Sequence, residues 1–483
     1  MSLLRPALNV LGLVLLLLAQ LLILPLILAL VDHSSNRLAF GYSIAITLAC
    51  GGLCLLVSRQ RIERISPRQM FMVTGLSWVV VSVMSGLPFV LGETHMDIVD
   101  AIFEATSGIT TTGSTVLKNL DHLPRDILLW RSLTQWLGGL GIIGMAVAIF
   151  PYLRVGGMRL FQTESSDWTE NSTGRARLIA WKIVRTYIVL SILCALTYWL
   201  LGMDWFNSVN HAMTTISTGG YSTSDSSFGQ FQSLSFLWAG IVFMLASAIP
   251  IVLYFQSIRA RRWLITSDQQ VRGLLLIALI VILLLIGVRL LEGVENYDFE
   301  LISHSVFNIV SVITTTGYAS QDYTLWGEAA VILIFCLTFV GGCSGSTSGG
   351  VKIFRFQLLG LLTREQTIRS VHPVATIKRH YNQRPVGENV LVSTISYFFI
   401  VMLCLAFFSI ALAATGLDLV TSLTGAATTL MNVGPGLGNI IGPAGNFSGL
   451  NEVAKILLCF AMLLGRLEFL TLLVIFSPAF WKW

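Results

Sequence analysis

Long apolar segments separated by short polar linkers dominate the chain. A helix needs about 20 apolar residues to cross a bilayer. Counting segments of that size predicts ten membrane spans, of which one, 329–362, is interrupted by a run of glycine and serine. The first segment is too long for a signal peptide and lacks a small-residue cleavage site, so we expect it to remain as a span. The uninterrupted segments are 10–31, 39–57, 70–91, 127–152, 183–201, 234–255, 273–291, 390–414 and 453–476.

A repeated unit follows the first two spans: a span, a short amphipathic stretch, a turn rich in threonine and glycine, and a second span. The unit occurs four times, with turns roughly 100 to 120 residues apart, a spacing too long for a solenoid repeat and suited to a two-span pore module. We therefore expect an all-α membrane protein in which four pseudo-symmetric units surround one pore. The turns are turn 1 (110–114), turn 2 (218–222), turn 3 (315–319) and turn 4 (432–436). The predicted boundaries are 1–68 for two N-terminal spans and 69–160, 161–264, 265–372 and 373–483 for the four pore units.

The composition excludes several classes of protein. Of 483 residues, 54% are hydrophobic and only 11% are charged, whereas soluble domains carry roughly a quarter charged residues. A soluble enzyme, a nucleic-acid binder and a disordered chain are therefore not expected. The net charge of +5 is spread over short linkers, so no nucleic-acid partner is predicted. All seven cysteines fall in apolar runs without zinc-site spacing, which indicates buried packing residues.

Lysine and arginine concentrate in the linkers between units, whereas the segments that hold the turns carry only Lys118 and Arg125. Because positive residues favour cytoplasmic loops, this pattern predicts cytoplasmic linkers and turns that lie toward the outside. An even number of spans then predicts that both termini are cytoplasmic. The basic linker residues are Arg59, Arg61, Arg64, Arg68, Arg154, Arg159, Arg175, Arg177, Lys182, Arg259, Arg261, Arg262, Arg272, Lys352, Arg355, Arg364, Arg369, Lys378, Arg379 and Arg384.

Each turn follows a short stretch that is too brief to cross the membrane, at 97–110, 205–217, 300–314 and 419–431. A half-helix that enters from outside would bring its partly negative C-terminal end to the bilayer centre, where a cation needs stabilising. Beyond that end, glycine permits an extended backbone whose carbonyl groups face one axis. Irregular backbone at this depth must be buried or line water, and four such loops can replace the hydration shell of potassium. The alternative is that the turns only pack the protein.

With these turns the sequence resembles the Trk/Ktr/HKT superfamily of potassium translocators, and most closely its bacterial TrkH-type branch. The likeness covers essentially the whole chain, including the two additional N-terminal spans. Each filter loop of that family keeps one central glycine, matching Gly113, Gly220, Gly317 and Gly434. Sodium-preferring plant members carry serine at the first of these positions, so glycine at all four implies potassium as the main ion. The small Ser114 leaves this assignment intact. The resemblance implies that potassium meets the backbone of Thr111, Thr112, Gly113, Gly219, Gly220, Tyr221, Thr316, Gly317, Tyr318, Val433, Gly434 and Pro435.

The resemblance also implies the setting of the protein. It implies a homodimer in the bacterial inner membrane, surrounded by lipid. It further implies a cytosolic nucleotide-binding regulatory subunit of the TrkA type, docked on the basic linkers. Potassium (K+) is expected as the transported ion, and no organic cofactor is expected on this chain.

The glycine- and serine-rich run at 341–350, called here the Gly/Ser loop, interrupts a span in the third unit. Glycine and serine hold a helix poorly, and an unwound segment in hydrocarbon must be shielded or face a cavity. The resemblance implies a mobile gate beneath the filter, whereas the alternative is a tight turn between two shorter helices. A phosphate cradle is a further alternative, but the Walker pattern is absent. The expected gate residues are Gly341, Gly342, Gly345, Ser346, Thr347, Gly349 and Gly350.

Arg466 stands in the middle of the last apolar segment. A permanent charge at mid-membrane is costly and usually functional. The resembling family has this arginine at the matching site, which implies an electrostatic barrier in the pore. The alternative is an internal ion pair with Glu468, although residues two apart on a helix do not face each other. Arg185 and Arg289 lie nearer to span ends, where snorkelling explains them.

Three further titratable residues lie in the half-helices: Glu104, His211 and His304. We expect each to brace its half-helix by hydrogen bonds rather than to carry protons. No catalytic set, metal cluster or nucleotide loop stands out, so the chain is predicted not to be an enzyme. The leading hypothesis is potassium uptake through a channel-like pore. The alternative is a secondary transporter that couples potassium to protons or sodium by alternating access.

Overall fold

Helices dominate the computed structural model, which describes residues 4–58, 66–148, 173–291 and 298–482. Within these ranges, four two-residue strands form two small pairs, one parallel and one antiparallel. Single turns of 3-10 helix lie at Leu120–His122, Ser227–Gln230, Ile265–Ser267, Tyr323–Leu325 and Phe447–Gly449. The helices and strands are α1 (Leu4–Leu21), α2 (Ile23–Val31), α3 (Arg37–Ser58), α4 (Pro67–Ser85), α5 (Leu87–Leu91), α6 (Ile98–Ile109), α7 (Arg125–Ala148), α8 (Thr173–Leu200), α9 (Trp205–Ile216), α10 (Leu234–Ser247), α11 (Ile251–Ala260), α12 (Gln269–Leu291), α13 (Phe299–Ile313), α14 (Glu328–Thr338), β1 (Val340–Gly341), β2 (Val351–Lys352), α15 (Ile353–Val371), β3 (His380–Tyr381), β4 (Arg384–Pro385), α16 (Glu388–Ala414), α17 (Leu419–Met431), α18 (Gly438–Ile441), α19 (Glu452–Arg466), α20 (Leu470–Phe476) and α21 (Pro478–Trp481).

Six helical segments within the described ranges are long and apolar enough to cross a membrane. They agree with six of the predicted spans and extend slightly beyond them at one or both ends. Their exposed faces carry large apolar side chains such as Leu53, Leu200 and Leu291, as expected for helices that meet lipid. The six segments are Leu4–Val31, Arg37–Ser58, Pro67–Leu91, Leu178–Leu200, Gln269–Leu291 and Glu388–Ala414.

Two predicted straight spans are bent, which corrects the sequence-based prediction. Helices α10 and α11 meet at 84°, at Pro250, which cannot donate a helical hydrogen bond. Helices α19 and α20 meet at 116°, because Glu468 and Phe469 adopt left-handed backbone angles with φ of 60° and 46°. Counting each bent pair as one span raises the six segments to eight.

Two further segments complete the comparison with the predicted spans. The span predicted at 127–152 is helical over Arg125–Ala148, and its last four residues lie outside the described residues. The predicted interruption is confirmed, since α14 ends before β1 and helix resumes only after β2. The proposed unit boundary at 160/161 and the basic residues Arg59, Arg61, Arg64, Arg154 and Arg159 also lie outside the described residues.

The four predicted half-helices are helical and form the centre of the fold. They are α6, α9, α13 and α17, and their C-terminal halves are almost completely buried. Each begins after an aspartate, at Asp97, Asp204, Asp298 and Asp418, and the last three accept a backbone N–H bond as side-chain caps. This recurring aspartate places negative charge at the positive end of each helix dipole. Its repetition was a sequence signal for the four starts that we did not use.

Candidate functional site

The four turns form a closed ring. Their central glycines all have positive φ: 89° at Gly113, 76° at Gly220, 80° at Gly317 and 111° at Gly434. A Cβ atom added to any of them would collide with the carbonyl oxygen of the residue that precedes the central glycine of the next turn. The pairs are Gly113 with Gly219, Gly220 with Thr316, Gly317 with Val433, and Gly434 with Thr112. Each turn thus requires glycine for its backbone angle and for the approach of its neighbour.

The same C-terminal cap ends all four half-helices. In turn 1, the N–H of Thr112 donates to Ser107 over 2.9 Å and that of Thr111 donates to Gly108 over 3.0 Å, the bond pair of a Schellman motif. The bonds recur in turns 2, 3 and 4 with donor–acceptor distances of 2.8 to 3.3 Å. The left-handed residues are Thr111, Thr218, Thr315 and Asn432, with φ of 50°, 52°, 57° and 53°.

Three of these left-handed positions hold threonine, which is unusual for a β-branched residue. Such strain costs of order 1–3 kcal/mol per residue and persists only where the surroundings impose it. Strained backbone is concentrated at functional sites, and here it recurs at one equivalent position of three turns. The strain therefore marks the ring as a candidate functional site independently of any motif.

One cavity of about 300 Å³ is bordered by all four central glycines. Its walls also include Lys118 and Asp225, both exposed, and Ser114, Tyr221 and Pro435, which follow three of the glycines. The cavity therefore leads from the surface to the ring. Within the described ranges no group of three or more His, Cys, Asp or Glu residues could hold a metal ion.

Side chains from neighbouring elements connect the turns to one another. Ser114 donates to the carbonyl of Gly434 over 2.8 Å, and Asn432 donates to the hydroxyl of Thr112 over 2.9 Å. Both bonds join turn 1 to turn 4. The Tyr318 hydroxyl lies 2.5 Å from that of Thr214 and therefore joins turn 3 to half-helix α9.

The predicted bracing roles of Glu104, His211 and His304 are confirmed. Glu104 accepts from the N–H of Val116 over 2.9 Å. His211 lies 3.1 Å from the Ser222 hydroxyl, and His304 lies 2.8 Å from the Ser320 hydroxyl. The bonds of Glu104 and His304 join a half-helix to the chain that follows its own turn, and the bond of His211 joins α9 to the last residue of turn 2.

Sequence reasoning missed two functional candidates on α7, Arg131 and Gln135. Both are buried, and Gln135 donates to the carbonyl of Gly219 over 2.6 Å while it accepts from the N–H of Tyr221 over 3.0 Å. Arg131 and Gln135 lie four residues apart and therefore on one face of an apolar span. Polar residues in that position are usually functional, so the sequence could have identified them as candidates.

The Gly/Ser loop is buried against the ring. Its Gly349 N–H donates to the Thr315 hydroxyl over 2.6 Å, and its Thr347 hydroxyl donates to the carbonyl of Ile216, the last residue of α9, over 3.0 Å. A Cβ at Gly349 would meet the carbonyl of Met431 and the side chain of Asn432. The loop thus contacts the helix ends and left-handed residues that lead into turns 2, 3 and 4.

Backbone and side-chain contacts of Gly341, Gly342 and Ser346 also hold the loop in place. Gly341 pairs with Lys352 in the parallel β1–β2 ladder. Ile353 donates its N–H to the carbonyl of Gly342 over 3.2 Å, and the Ser346 hydroxyl donates to Cys343 over 2.7 Å. Gly345 and Gly350 have φ of 80° and 68°. The segment is therefore a hydrogen-bonded loop whose two ends lie side by side, with a turn at Ser344 and Gly345.

Arg466 lies at the end of α19 and is buried. It donates to the carbonyl of Thr347 over 3.0 Å, and with Lys352 and Glu468 it lines a cavity of only about 10 Å³ beside the Gly/Ser loop. Glu468 pairs with Arg355 at 2.7 Å. The sequence suggested a possible ion pair between Arg466 and Glu468. In the structure, Glu468 instead forms its ion pair with Arg355.

Two sequence-based predictions about buried and exposed residues are wrong. Arg289 does not snorkel: its side chain is buried, with the guanidinium 4.6 Å from the centre of the Trp326 ring. Cys336 is exposed rather than buried, because it lies on a face of α14 that also presents Ile332. Arg185 is exposed, in agreement with the prediction.

Comparisons with known proteins agree on one family. The family model for TrkH, described as a cation transport protein, matches residues 36–483. The chain is 47% identical over 478 residues to the Trk system potassium uptake protein TrkI of Halomonas elongata, covering 99% of this chain and 97% of that protein. It is 34% identical to the Trk system potassium uptake protein TrkH of Escherichia coli K12, covering 99% of each. The crystal structure of the potassium transporter TrkH from Vibrio parahaemolyticus matches with a TM-score of 0.91 at 32% identity, over 99% of both chains. The chain is a multi-pass membrane protein and belongs to the TrkH family.

Proposed function

We propose that the chain takes up potassium through a channel-like pore whose selective part is the ring of four turns. One observation carries the proposal: each central glycine is closed against the backbone of the next turn, so the four turns complete a ring within one chain. A ring of backbone carbonyls can replace the hydration shell of a potassium ion. The relatives named above as potassium uptake proteins support the choice of ion.

The electrostatics of the ring favour a cation. The C-terminal ends of α6, α9, α13 and α17 lead into the four turns, and each end carries partial negative charge. We assign the potassium contacts to the backbone of the three central residues in each turn. These residues are Thr111, Thr112, Gly113, Gly219, Gly220, Tyr221, Thr316, Gly317, Tyr318, Val433, Gly434 and Pro435.

The proposed membrane arrangement has ten spans. Adding α7 and the interrupted pair α14–α15 to the eight apolar segments gives that number. We propose four pseudo-symmetric units at 69–160, 161–264, 265–372 and 373–483, after the two N-terminal spans. The distribution of lysine and arginine supports turns that face outside and termini that face the cytoplasm.

We assign the gate to the Gly/Ser loop and Arg466. The loop contacts residues that lead into three of the four turns. Arg466 binds the loop at Thr347 and adds a fixed positive charge beside it. A cation that has passed the ring would meet this charge, and displacement of the loop would open the path.

We propose a homodimer in a bacterial inner membrane and a cytosolic nucleotide-binding regulator of the TrkA type. Arg259, Arg261 and Arg262 are exposed where α11 ends and support a docking surface on the basic linkers. The ring itself needs no second chain, so conduction and assembly are separable.

The central test measures potassium and sodium flux into liposomes that contain the purified Gly113→Ser variant. A serine side chain there would collide with the carbonyl of Gly219, so we expect the potassium-to-sodium flux ratio to fall. Gly416→Ser is the matched control, because Gly416 also has positive φ but has open space around it. An unchanged ratio for Gly113→Ser would overturn the assignment of turn 1 to the filter. A fixed stoichiometry between potassium and protons or sodium would instead favour the coupled transporter.

A further inference from the structure

We propose that Arg131, Glu104 and Tyr221 form a clamp that holds turns 1 and 2 in register and thereby sets potassium selectivity. The proposal rests on the ring being the selective part of the pore. It assigns Arg131 and Glu104 as positioning residues, which act on potassium only through the backbone of the turns. At the centre of the clamp is the ion pair between Glu104 on half-helix α6 and Arg131 on α7, the helix that follows it.

The ion pair holds the backbone just beyond both glycines. Glu104 on α6 accepts from Nε of Arg131 over 2.8 Å and from the N–H of Val116, three residues past Gly113, over 2.9 Å. Arg131 on α7 also donates through Nη1 to the carbonyl of Ser222 over 2.9 Å. One guanidinium therefore binds the carboxylate of unit 1 and the backbone of turn 2.

Tyr221 completes the clamp from the side of turn 2. The guanidinium of Arg131 lies 4.1 Å from the centre of the Tyr221 ring, a cation–π contact. The Tyr221 hydroxyl donates to the carbonyl of Glu104 over 2.8 Å. A shift of turn 2 relative to turn 1 would therefore disrupt both the cation–π contact of the ring and the hydrogen bond of the hydroxyl.

Because the clamp is buried, a change in its geometry removes hydrogen bonds that nothing replaces. The side chains of Arg131 and Glu104 are 2% and 0% exposed, so water does not replace a bond that is lost. Arginine presents its donors in a fixed planar fork, whereas lysine has a single ammonium. Lysine could keep the charge opposite Glu104 but could not reproduce the fork that joins Glu104 and Ser222.

The carboxylate of the clamp is not repeated at the three corresponding positions of the other half-helices, all of which lie among the described residues. The residues nine before each central glycine are Glu104, His211, Asn308 and Gly425. Tyr318 repeats the tyrosine contact, since its hydroxyl donates to the carbonyl of His211 over 3.2 Å. Pro435 has no hydroxyl at the equivalent position. Of these four positions, only 104 holds a carboxylate, and its ion pair with Arg131 joins turns 1 and 2.

The test compares the potassium-to-sodium flux ratio of purified variants with the yield and thermal stability of the folded protein. Arg131→Lys keeps the charge, Tyr221→Phe removes one hydroxyl, and Arg131→Gln with Glu104→Gln avoids a lone buried charge. Loss of one hydrogen bond to a charged group corresponds to roughly a tenfold to hundredfold change in an equilibrium, so we expect the ratio to fall about tenfold or more in Arg131→Lys. The matched control is Lys455→Gln, which breaks the Lys455–Asp100 ion pair on the same half-helix away from the turns.

The outcomes separate the clamp from the filter. A lower flux ratio in folded Arg131→Lys and Tyr221→Phe, with an unchanged ratio in Lys455→Gln, would support the clamp. An unchanged ratio in both, with only lower yield or stability, would overturn it and leave a structural ion pair. If Gly113→Ser changes the flux ratio and Arg131→Lys does not, the result contradicts the clamp alone. If neither variant changes the ratio, the result contradicts the assignment of turn 1 to the filter, on which the clamp rests. Should the double glutamine variant not fold, the two single variants decide.

Discussion

Arg466 donates from its guanidinium to the carbonyl oxygen of Thr347 over 3.0 Å. This bond connects the end of α19 to the Gly/Ser loop across 119 residues of sequence. The same threonine donates its hydroxyl to the end of half-helix α9. Thr347 therefore stands between the proposed charge barrier and the helix that leads into turn 2.

Arg466→Ala is expected to increase potassium flux and leave selectivity largely unchanged, because the ring precedes the barrier. At an effective dielectric of about 20, two unit charges about 4 Å apart repel by roughly 4 kcal/mol, an upper figure for a wet pore. A barrier of only ~1.4 kcal/mol changes a rate about tenfold. Flux should be measured in liposomes with Arg466→Lys alongside, which keeps the charge and should remain near wild type. Arg185→Ala, an exposed arginine on α8, is the control. Loss of folded protein in Arg466→Ala without a gain in flux would contradict the barrier.

Arg355→Met is expected to destabilise the protein, because it removes the arginine that pairs with the buried carboxylate of Glu468 at 2.7 Å, and breaking a buried ion pair costs up to about 3–5 kcal/mol. Arg355→Met combined with Glu468→Gln removes both charges of the pair and should recover part of that loss. Thermal unfolding in detergent gives the comparison. A double variant as unstable as the sum of its single variants would show that the two residues act independently.

The sequence predicted the parts of the fold that depend on local pattern. Six spans follow from the length of their apolar runs, and the four half-helices follow from short amphipathic stretches before the glycine turns. The bends at Pro250 and Glu468 were not predicted. The length of an apolar run does not distinguish a straight helix from two helices at an angle.

The contacts between turns could not be predicted, because they join residues far apart in sequence. Ser114 and Gly434 are separated by 320 residues, and no local pattern specifies that pair. The pairing of Glu468 with Arg355 rather than Arg466 has the same origin. The left-handed backbone at Glu468 directs its side chain out of the helical register on which the sequence argument relied.

Glu365→Gln is expected to lower stability at neutral pH and to have no effect in acid. Glu365 pairs with Arg379 and, at 2.8 Å, with Arg369, and the hydrogen bond from Arg379 lowers the pKa of Glu365 below its ordinary value. A lowered pKa in the folded state stabilises the protein above the ordinary pKa of glutamate, about 4.3, and this stabilisation is lost as pH falls through the lowered value. Unfolding of both proteins should be followed from pH 7 to pH 3. Asp121→Asn, at an exposed carboxylate, is the control. A wild-type advantage that persists unchanged at pH 3 would contradict the ion pair as its source.

Thr315→Val is expected to increase potassium flux by loosening the Gly/Ser loop. The Thr315 hydroxyl accepts the N–H of Gly349 over 2.6 Å, and valine keeps the shape of the side chain without the acceptor. The loss of a buried hydrogen bond costs about 1–3 kcal/mol when the donor is left unpaired, which would favour an open loop. Thr218→Val is the matched control, since Thr218 has the equivalent left-handed angle and its hydroxyl donates to the adjacent Ser217 carbonyl. Both substitutions place valine at the same strained backbone angle, so the strain is matched between them. Flux raised in Thr315→Val alone would support the bond as a latch of the gate, whereas equal flux in the two variants would attribute any change to the turns themselves.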